Sequence, residues 1–184
     1  MFSEAERMKA IQSQMSVLKG AEKRDGFYLA QFNLAKLKAP LRDPSVSEFA
    51  LALGPINDLA KTSPGFVWLH ENDSDEEKNA IPELRRDPLV MPNLSLWEDL
   101  DALHHFVFKT GHFMYYKRRK EWFTPLEEGY PHAVNWWRPA HLDPPSLQEA
   151  FERIRLLGKL GNTADAFDFK SAKDYPKPDA AQMG

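Results

Sequence analysis

Apolar and polar residues alternate from Phe27 to Leu37 in FYLAQFNLAKL, with Tyr28, Ala30, Phe32 and Leu34 on one side and Leu29, Gln31 and Asn33 on the other. That period of two predicts the first strand, half-buried on one face. Pro40, Asp43 and Pro44 mark a turn, and Ser45 followed by Glu48 is a capping-box opening for a helix reaching to about Lys61. Phe49, Leu53, Ile56 and Leu59 or Ala60 form its buried stripe, and Pro55 inside it removes one backbone donor, which predicts a kink or a split near Gly54. After Ser63, Pro64 and Gly65, FVWLH (66–70) reads as a second strand. Residues 71–86 are acidic and lose periodicity, which predicts a flexible, solvated loop. Asp73, Asp75 and Glu77 have oxygen-ligand spacing without the glycine and terminal glutamate of a calcium loop.

LVMPNLSLW (89–97) reads as a third strand, with Pro92 favouring an edge position or a bulge. Glu98, Asp99 and Asp101 then place negative charge at the start of a long helix from about Leu100 to Phe123, where the helix dipole favours it. AVNWWRP (133–139) is the fourth strand, and its Trp136 and Trp137 must face opposite sides. Pro144, Pro145 and Ser146 introduce a helix from about Leu147 to Leu160, with Ala150, Ile154 and Leu157 inward and Gly161 as its stop. At the start of the chain, Met8, Ile11, Met15 and Leu18 have the spacing of a short amphipathic helix.

The central order is strand, helix, strand, strand, helix, strand. It predicts an α+β fold of ferredoxin-like type: a four-stranded antiparallel sheet with helices on one face, plus extra N- and C-terminal helices. The domain organisation that follows is an N-terminal helical extension over 1–24, one domain over 25–170 with an apolar AFDF patch at 166–169, and a disordered tail over 171–184. The second sheet face carries residues too apolar for water, such as Leu29 or Val67 and Leu69, and a second copy of the sheet is expected to cover it, making a homodimer.

Composition narrows the function. Lys plus Arg number 24 against 27 Asp plus Glu, a formal charge of −3 that lacks the basic field of non-specific nucleic-acid binding. The absence of cysteine removes disulfides, thiolate nucleophiles and zinc fingers. No apolar run approaches the roughly 20 residues of a membrane span, and the N-terminus has no signal-peptide core, so neither membrane nor nucleic acid is an expected partner and a cytoplasmic protein is expected.

On the long helix, Leu100, Leu103, Phe106, Val107, Thr110, Phe113 and Met114 share a core face at about 100° per residue. The opposite face holds His105, Phe108, His112, Tyr115, Tyr116, Arg119 and Phe123, whose aromatics need cover. His112, Tyr116 and Arg119, at i, i+4 and i+7, either line a cavity or fill space against the C-terminal segment. The KRRKEWF run (117–123) matches the dipole at a helix end.

FYLAQFNLAKLKAPL, PGFVW, NLSLWEDLDALHHFV with His112 and the RRKEWF block, and AVNWWRPA with EAFERIRLLGKLG together resemble a domain family of unknown function. That family is similar to the dimeric α+β barrel superfamily, which includes antibiotic biosynthesis monooxygenases and haem-degrading monooxygenases. The resemblance implies a ferredoxin-like dimeric α+β barrel. It further implies a substrate-orienting role for Asn33, a conserved aromatic at Trp97, and a histidine at His112 that meets substrate or ligates iron. The spacing from Trp97 to His112 is shorter than in the haem-degrading members.

Three functions follow. The first is a small-molecule enzyme of monooxygenase-like type needing no cofactor and acting on an aromatic or lipophilic substrate, with His112 as general base, Asn33 or Asn93 as oxyanion donor, and Trp97, Tyr116 and Trp136 as walls beside Arg119. The second is a haem protein using His112, and the third a non-catalytic dimeric binding or stress-response module.

Overall fold

The computed structural model of the chain describes residues 26–71, 74–127 and 129–179. The helix expected from Met8 to Leu18 lies outside these residues. β1 (Phe27–Leu37) is the centre of an antiparallel sheet, with β3 (Val90–Trp97) on one side and β5 (Ala133–Pro139) on the other. β2 (Phe66–Leu69) pairs with β3, through a bulge at Phe66/Trp68. A fifth strand, β4 (Phe123–Thr124), pairs with Lys36 and Leu37 at the end of β1. The long strands therefore lie in the order β5-β1-β3-β2, the interleaving two split βαβ units produce, with β4 as an addition to the four strands expected. Pro92 sits in β3 beyond the reach of β2, which pairs only with residues 95–97, so its missing N–H falls on an open edge.

Both faces of the sheet are covered by the chain itself. α1 (Ser47–Lys61) and α4 (Leu100–Lys109) lie on one face, where Leu29, Trp97, Leu103, Phe106, Ala60 and Phe167 form a buried cluster. On the other face Ala30, Phe32, Leu34, Leu94, Leu96, Val134 and Trp136 are buried beneath α6 (Leu147–Leu160), which contributes Leu147, Ala150, Phe151 and Ile154. The greasy surface expected to be hidden by a twin subunit is thus hidden by the chain's own C-terminal helix, and Leu29 belongs to the α1/α4 face instead. The local sequence explains why α6 is available. Ser146 accepts a hydrogen bond from the Glu149 N–H (3.1 Å), its apolar residues fall on one stripe, and Gly161 ends it at φ 72°. Trp136 and Trp137 face opposite sides as expected. The Trp136 indole donates to Glu149 and the Trp137 indole to the Tyr175 carbonyl.

Three further expectations are corrected. Residues 71–86 are not a plain loop: α2 (Asp75–Ala80), capped by Ser74, and α3 (Pro82–Arg86) fold there, because Ile81 and Leu84 reach the core under α6. The acidic residues around them mask this apolar pair in the sequence. The helix expected from Leu100 to Phe123 is broken. α4 ends where Thr110 turns extended (ψ −177°) and its hydroxyl donates to the Phe106 carbonyl (2.6 Å), and α5 (His112–Arg118) starts after Gly111, followed by a 3-10 turn at Arg119–Glu121. The start of the expected tail is packed on the sheet, with Ala172 buried and Tyr175 stacked on Phe167 at 5.2 Å. Pro55, by contrast, does not split α1, which runs continuously around it. No helix among the described residues is long and apolar enough to cross a membrane.

Candidate functional site

Strand alternation sends residues two apart to the same face, so on the α1/α4 side β1 presents Gln31 and Asn33, β3 presents Asn93 and Ser95, and β5 presents Asn135. The register sets them side by side: Gln31 lies opposite both Ser95 and Asn135, and Asn33 opposite Asn93. They form an uncharged polar strip across three strands, next to the aromatic cluster around Trp97. A hydrogen-bond chain runs along it. The Trp97 indole donates to the Ser95 hydroxyl (3.0 Å), Ser95 donates to the Gln31 carbonyl oxygen (3.4 Å), and the Gln31 amide donates to Asn33 Oδ1 (3.2 Å). Trp97 and Ser95 are buried, Asn33 is half-buried and Asn93 is exposed, so the strip leads from solvent inward.

Asn135 marks its inner end. The side chain is 1% exposed; its Nδ2 donates to the Phe167 carbonyl (3.3 Å), while Oδ1 meets no donor among the described residues. A buried acceptor without a partner costs about 1–3 kcal/mol, which makes Oδ1 a place where a ligand hydroxyl or amide would be favoured. Phe167 is fixed there because its backbone bridges that of Asn135 in both directions (2.8 and 2.9 Å).

His112 enters from the first turn of α5. Its Nδ1 lies 3.3 Å from the Val107 carbonyl, which can only accept, so Nδ1 carries the proton and Nε2 keeps its lone pair. Burial holds its pKa below the ordinary imidazole value, opposed by the Val107 hydrogen bond, which leaves a neutral ring at neutral pH. That ring lies 4.9 Å from Phe106, and Phe106 stacks on Trp97 at 5.1 Å. His112, Phe106, Trp97, Ser95, Gln31 and Asn33 therefore make one contiguous series, joined by ring contacts at one end and hydrogen bonds at the other.

The other sequence-expected residues lie elsewhere. Trp136 is buried on the opposite face, with the sheet between it and Trp97. Tyr116 is exposed and packs on Phe108 at 5.8 Å, with the Arg119 guanidinium 4.5 Å over its ring and bonded to its carbonyl (2.9 Å). Tyr116 and Arg119, three residues apart at the end of α5, thus form an outward cation–π pair. Gln31, Ser95, Asn135 and Phe106 were not among the expected site residues. The signal for the first three was present as polar residues two apart from Asn33 or Asn93, or beside Trp136, on strands otherwise apolar.

These features define an α+β protein with an open antiparallel sheet, covered by helices on both sides and bearing an uncharged hydrogen-bonding strip joined to a neutral histidine through the rings of Trp97 and Phe106. The family model described as a domain of unknown function (DUF3291) matches residues 28–183, and the chain belongs to that family. No curated protein and no solved structure matches the chain.

Proposed function

We propose that the protein is a small-molecule enzyme of monooxygenase-like type, acting on a planar aromatic substrate with hydroxyl or carbonyl groups on its edge. The reading also keeps the ferredoxin-like kinship drawn from the sequence motifs. The observation that carries it is the unbroken series from the neutral His112 imidazole to Asn33. The reading is supported by a neutral imidazole packed on aromatic rings that lead, through Phe106 and Trp97, to a strip of neutral donors and acceptors. A substrate with an acidified methylene gives one proton to Nε2 of His112, the carbanion transfers its electrons to dioxygen as a C–O bond forms, and the peroxide takes the proton back from His112. The resulting hydroperoxide loses water to leave a ketone, so one dioxygen yields one carbonyl oxygen and one water. Asn33 and Asn93 donate to the substrate oxygen on which the carbanion charge rests.

A hydroxylated anthrone, whose methylene reduces dioxygen by this route, is the probe. Oxygen uptake above the buffer rate is expected with the native chain. It should be lost in His112→Ala and lowered in Asn33→Ala, with unchanged far-ultraviolet circular dichroism in both. No uptake above buffer, or equal uptake by His112→Ala, discards the assignment. A second reading is favoured by the tautomer of His112. A ring whose Nδ1–H is tied to a carbonyl has the arrangement of a metal-binding imidazole, so a Soret shift on adding hemin that disappears in His112→Ala would mark a haem protein instead.

A further inference from the structure

Exposed apolar side chains gather at one end of the molecule. Of the six large ones among the described residues, Leu41, Leu51, Met114 and Tyr116 lie where the turn after β1, the first half of α1 and α5 meet. Hydrogen bonds fix that meeting point. Lys38 donates from its backbone to the Trp122 carbonyl (2.9 Å) and from Nζ to the Lys120 carbonyl (2.7 Å), which ties the turn carrying Leu41 to the 3-10 turn after α5. Arg118 grips both oxygens of Glu48 (2.6 and 2.7 Å), which ties α5 to the start of α1. Leu51 follows Glu48 by three residues and Met114 precedes Arg118 by four, so each lies one helical turn from that bond. Leu51 is 79% exposed and Met114 61%, so neither serves the core.

Charge at this end is one-sided. Lys38, Arg42, Lys117, Arg119 and Lys120 form no ion pair among the described residues. The three anions beside them are engaged: Glu48 and Glu121 are both held by Arg118, and Asp43 accepts from the Ser45 N–H and hydroxyl. Six cations thus stand against three anions, on a chain whose formal charge is −3. The excess selects an anionic partner. A second copy docking through the same face would set these cations against each other. Bases of a nucleic acid find no open ring to stack on, because Phe113 and Tyr116 stack together at 6.4 Å with Lys117 5.0 Å over one and Arg119 4.5 Å over the other. Lysine is depleted in protein–protein contacts, whereas protruding aliphatic side chains ringed by Lys and Arg suit the headgroup level of an anionic bilayer.

We propose that this end of the molecule docks on an anionic lipid surface, with Leu41, Leu51 and Met114 entering the acyl boundary and the surrounding cations pairing with headgroup phosphates and carboxylates. Docking from one side needs no spanning segment, so the lack of one among the described helices does not oppose it. It makes no use of His112 and is independent of the chemistry proposed there. The test is sedimentation of the full chain with phosphatidylcholine vesicles, either alone or holding about one-third phosphatidylserine. Retention is expected on the mixed vesicles only, falling at high salt. Lys117→Gln with Lys120→Gln, both at exposed side chains, should weaken it about 25-fold, at about fivefold per cation near the surface. Leu51→Gln with Met114→Gln, which leaves every charge in place, should weaken it about tenfold or more, with unchanged circular dichroism in both pairs. No retention on the mixed vesicles, equal retention on phosphatidylcholine alone, or unchanged binding in either pair overturns the proposal. Tighter binding of oligothymidylate or polyglutamate than of the vesicles also overturns it, and assigns the face to a nucleic acid or to an acidic protein.

Discussion

Phe151→Ala removes the ring by which α6 sits on the sheet. Phe151 is fully buried, meets Phe32 of β1 edge-on with centroids 5.1 Å apart, and lies under the Arg155 guanidinium at 5.6 Å. A buried phenylalanine cut to alanine costs about 3–5 kcal/mol in lost transfer energy and residual cavity. The upper part of that range is expected here, because the Phe32 pairing, worth about 0.5–1.5 kcal/mol beyond area, goes with it. For a chain of this length each kcal/mol lowers Tm by about 2–4 °C, so a loss of about 4–5 kcal/mol lowers it by about 8–20 °C. Urea unfolding at constant m-value and a calorimetric scan both measure it. The Tm of the native chain should not owe this layer to association, so its dependence on protein concentration should be unchanged by the mutation. A loss under about 1 kcal/mol would refute the assignment of α6 as the cover of this face, since no buried ring of that size is so cheaply removed.

Two other outcomes follow from single residues. Gly65 has φ 74°, and a Cβ there would collide with that of Ala102, so Gly65→Ala should lose about 2–5 kcal/mol from left-handed backbone strain and overpacking together. Adding Ala102→Gly should relieve only the packing part, as read by urea unfolding. His112, whose pKa is held below its ordinary 6.5 by burial, binds a proton less readily folded than unfolded. Its contribution to stability is complete above 6.5 and is lost as pH falls from there toward the folded-state value. Urea midpoints on either side of that pH should show this slope in the native chain and a reduced one in His112→Gln.

The sequence exposes elements whose pattern is local. β1 follows from strict alternation, α6 from Ser146, its apolar stripe and Gly161, and the order β5-β1-β3-β2 is consistent with two interleaved βαβ units read along the chain. His112 and Asn33 were legible as candidates because an imidazole and an amide stand out among apolar neighbours. Tyr116 and Arg119 were grouped with His112 by their i, i+4 and i+7 spacing, but all three follow the break at Gly111, and what separates them is that the His112 ring turns in against Phe106 while Tyr116 and Arg119 face outward. The two short helices at 75–86 were hidden because Ile81 and Leu84 are a pair too brief to set a period; only the core beneath α6 gives them a reason to fold.

What the chain determines by itself is therefore which residues share a face of a strand or helix, because the backbone periods of two and 3.6 are properties of local geometry. Which body covers each face was settled only in three dimensions. Leu29 could have faced a second subunit or α4 equally well by pattern, and Trp136 and Trp97 could have shared a pocket until the register put the sheet between them. Burial is a competition among all apolar surfaces within reach. Here α6, tethered by a short connection, reaches the sheet at far higher effective concentration than any separate molecule.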